Sequence, residues 1–394
     1  MLADVDFVMS QDGTSPLAIN AFRNMGQKHV FDSSKIAMVI DHSAPSPIEG
    51  VSNLHTLMRE FAAEQAIKIY DIGCGVCHQL VPEQGHIVPG NLVVGADSHT
   101  CSYGAINVFS TGIGSTDCAA AMASGKLWFK VPPTIKINCN GQLAKGVFSK
   151  DLILFLIGQL TADGATYKAV EFHGSAIESL SIDARLTISN MAIEIGAKAG
   201  LMLADAKTKE WVEERTKAPY ERVTPDSDAN YEQELSFDFS KLSPQIAKPH
   251  TVDNVVDIEK VSGTPVQQAV IGTCTNGRLE DLEIAAGILK NKPKSDNVRL
   301  IVAPASKEIF IQAINKGIIE DLVNAGAAVV TPGCGPCVGT HNGVPSEGEN
   351  VISTANRNFK GRMGNSNANI FLASPATVAA SAITGKITDP REFL

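Results

Sequence analysis

The chain has 394 residues, 44% of them hydrophobic and 19% charged, which is enough to bury a full core without disulfide support. A formal net charge of −9 opposes a phosphate backbone, and no lysine/arginine cluster offsets it locally, so the composition argues against a nucleic-acid partner. The start carries Asp4 and Asp6 where a signal peptide carries basic residues, and no stretch approaches the roughly 18 apolar residues of a membrane span, so a soluble, cytoplasmic protein is expected.

In chain order, the apolar run IAMVI before Asp41 reads as a buried strand. Val51 to Ala66 follows, with Leu54, Leu57, Met58, Phe61 and Ala62 at helical spacing as its expected buried face. NLVVGA before Asp97 is a second buried strand. Gly112-x-Gly114 then opens an Ala-rich helix; it lacks the full dinucleotide fingerprint and is read as helix packing. A boundary is expected near Val131-Pro132-Pro133, where a helix ends and the strand TIKINC begins. In LTISNMAIEIGA, Asn190 and Glu194 are four apart and are expected on one face of a helix. The polar, proline-containing stretch from Thr224 to Val255 reads as an interdomain linker. Three further buried runs close the chain: VQQAVIG before Thr273, VRLIVAPA before Ser306 and AAVVTPG before Cys334. Near-continuous apolar strands alternating with helices predict α/β architecture with mainly parallel sheets.

Eight cysteines in a reducing compartment read as metal ligands or packing groups. Cys274 in IGTCTNGR, and Cys334 and Cys337 in TPGCGPCVG, each follow a predicted strand. Loops at the carboxyl ends of parallel strands converge on one ligand site, which brings these three together. They are one short of the four thiolates of an ordinary iron–sulfur cube, a shortage that leaves an iron open to substrate. Spacing alone equally allows structural zinc, with Cys334-x2-Cys337-x3-His341 and Cys274 as a Cys3His set. Cys74-Gly75-Val76-Cys77-His78 matches haem attachment, which the absence of an export signal argues against. Cys101, Cys118 and Cys139 are expected to be inert packing.

Asp41-His42 and Asp97-Ser98-His99 also follow buried strands, and a carboxylate beside an imidazole suits proton transfer. His78 is a candidate to join them. Arg357 and Arg362, in STANRNFKGRMGN, offer two guanidinium forks for carboxylates, or else form a solvated basic turn.

GADSHTCSYGA, GTCTNGRLEDL, GCGPCVGTHNG and NRNFKGRMG, in this order, resemble the aconitase family across nearly the whole chain. ADSHTCSYGA, STDCAAAMASGKLWFKVP and ADGATYKAVEF are most similar to the large subunits of its isopropylmalate and homoaconitate branch. The resemblance implies three α/β domains, 1–132, 133–245 and 246–394, without the family's fourth, swivelling domain. It implies one 4Fe-4S cluster per chain, held by Cys274, Cys334 and Cys337 with one open iron. Asp41, His42, His78, Asp97, His99 and Glu194 are the implied catalytic groups. Gln11, Ser98, Arg357 and Arg362 are implied to bind substrate, and Asn190 and Asn356 to stand beside the cluster.

The implied reaction is dehydration of a 2-hydroxy acid and rehydration at the neighbouring carbon. The branch suggests conversion of 2-isopropylmalate to 3-isopropylmalate in leucine biosynthesis, with homoaconitate, dimethylmalate or another citrate-like acid as alternatives. The implied partner is a small subunit that brings the swivelling domain, the base and the loop that reads the substrate's side group, in a heterodimer or heterotetramer. An RNA-binding role, which some aconitase-like proteins have, sits poorly with the acidic charge. Family members usually carry a leading helical segment of about two dozen residues before the first motif, SQDGTSP, which this chain reaches almost at once, as either a truncated start or a short natural form would.

Overall fold

The computed structural model describes residues 1–394. The first sheet is five-stranded and wholly parallel. Its spatial order is Lys68–Tyr70, Ile36–Val39, Phe7–Gln11, Leu92–Gly95, Phe109–Gly112. The chain starts in the middle, builds outward on one side, then crosses to the other. The neighbours Phe7–Gln11 and Leu92–Gly95 therefore flank a topological switch point, where diverging connections leave a crevice at the carboxyl ends. Gln11, Asp12 and Asp97 sit at that crevice.

The seven-stranded third sheet repeats the device. Its order is Val255–Asp257, Gln245–Ala247, Asn369–Leu372, Asn350–Ser353, Gln268–Gly272, Arg299–Ala303, Ala327–Val329, the last five parallel. The switch falls between Gln268–Gly272 and Asn350–Ser353, whose following loops carry Cys274 and Asn356. Between the two lies a parallel four-stranded sheet ordered Ala199–Met202, Ala169–His173, Thr134–Asn140, Gln233–Asp238. A small antiparallel pair, Leu2–Asp4 with Lys126–Trp128, edges the first unit. One apolar cluster draws residues from all three large sheets and includes Cys274, Cys334 and Cys337, so the cysteines lie where the layers meet.

Four local expectations are corrected. The helix Glu49–Gln65 buries His55, Met58, Phe61, Ala62 and Gln65, while Leu54 is 42% exposed. The face turns because His55 bonds Asp12, and Gln65 bonds the backbone of Lys28 and Val30. The presumed linker contains a strand, Gln233–Asp238, which extends the middle sheet. The helix carrying Asn190 ends at Met191, and Glu194 sits in the 3-10 turn Ala192–Ile195 that follows. The helix before the Val131 boundary stops earlier, at Ser124, and the short strand Lys126–Trp128 intervenes.

Gly104 shows how tightly the units join. A Cβ there would lie 1.9 Å from the carbonyl oxygen of Gly200, so only glycine lets the Ser98–Ile106 turn pack on the middle sheet. No helix is long and apolar enough to cross a membrane.

Candidate active site

The switch-point loops of the first and third sheets face each other across a cavity of about 130 Å³. Eleven of the fifteen singled-out residues line it, from Gln11, His42 and His78 on one wall to Cys274, Cys334 and Arg362 on the other. The remaining four, Asp41, Asn190, Glu194 and Cys337, stand one hydrogen bond behind. A larger, apolar cavity of about 490 Å³ beside Trp128 and Tyr167 contains none of them.

On the first wall, His42 Nδ1 donates to Asp41 Oδ1 at 2.7 Å, and its Nε2 lies 3.5 Å from Asp97 Oδ2. Burial alone would strip the imidazolium of its proton, but the two carboxylates overcome this and hold its pKa well above the ordinary value. Asp97 is the hub: His78 Nε2 reaches Oδ1 at 2.8 Å, the His99 N–H donates to Oδ1 at 2.8 Å, and Gln11 Nε2 donates to Oδ2 at 3.3 Å. Burial pushes its carboxyl up, yet the histidines, His78 foremost, hold it well below the ordinary range. Glu194 receives His99 Nε2 at 3.0 Å and Arg357 Nε at 2.8 Å, and these overcome burial to lower its pKa too.

Sequence reading missed Asp12. Its Oδ1 accepts the backbone N–H of Asp41 at 3.0 Å and of His42 at 2.7 Å, while Oδ2 accepts that of Ser43 at 2.8 Å. One buried carboxylate thereby fixes the loop that aims His42. Arg278, also missed, is fully buried and donates to the carbonyls of Cys274 at 2.6 Å and Thr275 at 2.8 Å, fastening the other wall.

On that wall the sulfurs are served by donors. Asn190 Nδ2 reaches Cys274 Sγ at 3.4 Å, Asn356 Nδ2 reaches it at 3.7 Å, and Arg362 Nη2 reaches Cys337 Sγ at 3.3 Å. Burial raises the Cys274 thiol to about 11. In the Cys334–Cys337 pair the proton stays on Cys334; the hydrogen bond from Cys334 and the Arg362 guanidinium lower the pKa of Cys337. Cys118 and Cys139 are buried apart from this wall, and Cys101 lies behind it, its thiol donating to the carbonyls of Ser189 at 3.2 Å and Asn190 at 3.5 Å; each is raised to about 12 by burial.

The donor set decides what the wall can hold. Two groups have three or more donor atoms within 4.8 Å of one another: His78–Asp97–His99 and Asp12–Asp41–His42. The three cysteine sulfurs are not such a group, nor do they form one with His341. Four ligands on a single zinc at about 2.3 Å stand only about 3.8 Å apart. A more widely spread set of thiols, with amide donors on Cys274 and a guanidinium donor on Cys337, fits a larger sulfur-bridged group. Gly339 permits the enclosure, since a Cβ there would lie 2.1 Å from the backbone nitrogen of Gly364.

Comparison with known proteins finds relatives that match the whole chain. A probable methanogen homoaconitase large subunit from Methanosarcina mazei is 54% identical over 394 residues, the whole of both chains. 3-Isopropylmalate dehydratase large subunits from Thermotoga maritima and Archaeoglobus fulgidus are 53% and 52% identical over all of this chain and 94% of theirs. The structure of Thermococcus kodakaraensis aconitase X superposes with a TM-score of 0.53 at 11% identity, covering 91% of this chain and 84% of that one, a likeness of fold alone. Residues 1–264 and 259–385 match the aconitase family (aconitate hydratase), and the chain belongs to that family.

Proposed function

We propose that the chain is the large subunit of a hydro-lyase that isomerises a 2-hydroxy dicarboxylic acid by dehydration and rehydration, converting 2-isopropylmalate to 3-isopropylmalate in leucine biosynthesis. The observation that carries this is the meeting, across one cavity, of Cys274 and Cys334, with Cys337 one hydrogen bond behind, and a histidine bonded between two carboxylates.

Cys274, Cys334 and Cys337 would hold one 4Fe-4S cluster with three protein ligands. When bound, such a cluster supplies an open iron that acts as Lewis acid toward a substrate hydroxyl and carboxylate. His42 would give its proton to the departing hydroxyl, which leaves as water, and the Asp41 and Asp97 carboxylates stabilise the imidazolium before that transfer. Arg362 Nε has no partner within the chain, and the Arg357 fork is tied to Glu194 through Nε. Both guanidiniums line the cavity together with Gln11 and Ser98, which supports a role for the four in taking substrate carboxylates.

Two carboxylates of the site, Asp97 and Glu194, are poorly suited to remove the C–H proton. Asp97 and Glu194 are engaged by histidines and Arg357 and held below their ordinary pKa, which makes them weak bases. This supports a base brought by a separate small subunit carrying the swivelling domain. The three large sheets support three units on this chain close to 1–132, 133–245 and 246–394, with the strand Gln245–Ala247 of the third sheet lying across the second boundary. A second reading, homoaconitase, is favoured by the name of the Methanosarcina mazei relative.

Anaerobic purification and reconstitution with the cognate small subunit tests the proposal by alkene absorbance with each candidate acid. Iron with acid-labile sulfide and turnover by the pair, with the large chain alone nearly inactive, are expected. Stoichiometric zinc without sulfide overturns the cluster, and full activity of the single chain overturns the dependence on a partner.

A further inference from the structure

Lys150 is the second residue of the helix Ser149–Leu160. A lysine there ordinarily reaches into solvent, away from the positive end of the helix dipole. Here it is 0% exposed. Its Nζ donates to the carbonyls of Thr354 and Ala355, both at 2.7 Å. Burial pulls its pKa down to about 7; the charges opposing this are Cys337 first, then Asp281, Cys274 and Glu194. Two of these four are cysteines of the site.

The carbonyls it holds belong to the two residues after the strand Asn350–Ser353, where the ladder ends and buried backbone oxygens need new donors. The next two residues are Asn356 and Arg357. Asn356 contacts both Cys274 and Cys337 sulfurs, and Arg357 contacts Glu194. The same corner is clamped to the Cys274 loop by Thr354, whose Oγ1 accepts the Gly272 N–H at 2.9 Å. Lys150 does not line the cavity. It reaches the corner from the middle sheet's helix, 204 residues away in sequence.

We propose that Lys150 is a positioning residue of the reaction centre: its buried ammonium pins the Thr354–Ala355 corner so that Asn356 and Arg357 are presented to the sulfurs and the cavity, and its charge compensates the thiolates. The thiolate half of this rests on the cluster reading above; the pinning half does not.

The test uses the anaerobically loaded chain with Lys150→Met, which keeps side-chain length but removes donors and charge, and with Lys150→Arg, which keeps both. Lys150→Met should bind iron and sulfide in the wild-type ratio, yet its one-electron reduction potential should move negative, because a positive charge that favours the added electron is gone. Backbone amides of 353–357 should exchange hydrogen faster, and kcat/KM with the small subunit should fall roughly tenfold to a hundredfold. Lys150→Arg should restore the potential. A Lys150→Met chain with wild-type potential and wild-type exchange at 353–357 overturns the proposal. Should Lys150→Met not fold, Lys150→Gln, neutral but still a donor, is read against Lys150→Arg, and equal potentials and exchange in that pair overturn it. If the wild-type chain takes up no iron and sulfide, the cluster reading fails by itself. Exchange at 353–357 in the metal-free chain then decides the pinning.

Discussion

Replacing Asp12 by asparagine is the perturbation with the most to reveal about how the first wall is held. The carboxylate is 4% exposed and accepts three backbone N–H groups from residues 41–43, with His55 Nε2 3.2 Å from Oδ2. An amide keeps the shape but offers one oxygen. If that oxygen faces Asp41 and His42, the amide nitrogen faces the Ser43 N–H, donor against donor. One hydrogen bond to a charged acceptor, worth about 1.5 to 3 kcal/mol, is lost, and a buried donor is left unsatisfied. A destabilisation of about 2 to 4 kcal/mol follows, concentrated in the loop that aims His42. Misplacing that imidazole by an ångström costs about a hundredfold in kcat/KM. The charge matters as well: Asp12 lies 4.0 Å from His42 Nδ1, so its loss lowers the His42 pKa. Since His42 acts protonated, the basic limb of the pH–rate profile should move to lower pH. Kinetics of the reconstituted pair across pH, with urea midpoints, measure both effects. An Asp12→Asn enzyme with unchanged kcat/KM, basic limb and urea midpoint would refute the reasoning.

Cys274→Ser, Cys334→Ser and Cys337→Ser should each lose iron and sulfide, while Cys74→Ala keeps both; a cluster retained in Cys337→Ser but lost in Cys74→Ala reverses the ligand assignment. Asp97 and Glu194 have lowered folded pKa values, so their contribution to stability is complete above the ordinary values of 3.8 and 4.5 and is lost as pH falls through the folded ones. Melting temperature should therefore drop below about pH 4.5, and Asp97→Asn should flatten that slope; parallel profiles for variant and wild type contradict this. Arg357→Lys keeps the charge but not the Nε contact with Glu194, and should raise KM about tenfold, the equivalent of one charged hydrogen bond, with a smaller change in kcat. An unchanged KM places Arg357 outside substrate binding.

The sequence made much of this site legible because strand ends announce themselves. An apolar run that stops at Asp41, Asp97, Cys274 or Cys334 places that residue at the carboxyl edge of a parallel sheet, and the edges meet at the switch points. Groups whose role depends on remote contacts stayed hidden. Asp12 stands in a Gln-Asp-Gly run that reads as turn chemistry, and only the fold brings residues 41–43 onto its oxygens. Lys150 opens a helix and reads as a surface charge until the end of a distant strand closes over it. The strand Gln233–Asp238 was lost among prolines and acids, although Leu235, Phe237 and Phe239 alternate as an edge strand should.

The proposed chemistry depends on three cysteines holding a four-iron group with one iron left for the substrate. Mössbauer spectra of the anaerobically reconstituted, iron-57-labelled chain with its small subunit, taken before and after adding 2-isopropylmalate, test it directly. One iron site of four should change its signal on adding the acid while the other three keep theirs. Four sites that all keep their signals in a turning-over enzyme, or a protein holding no iron, would contradict it.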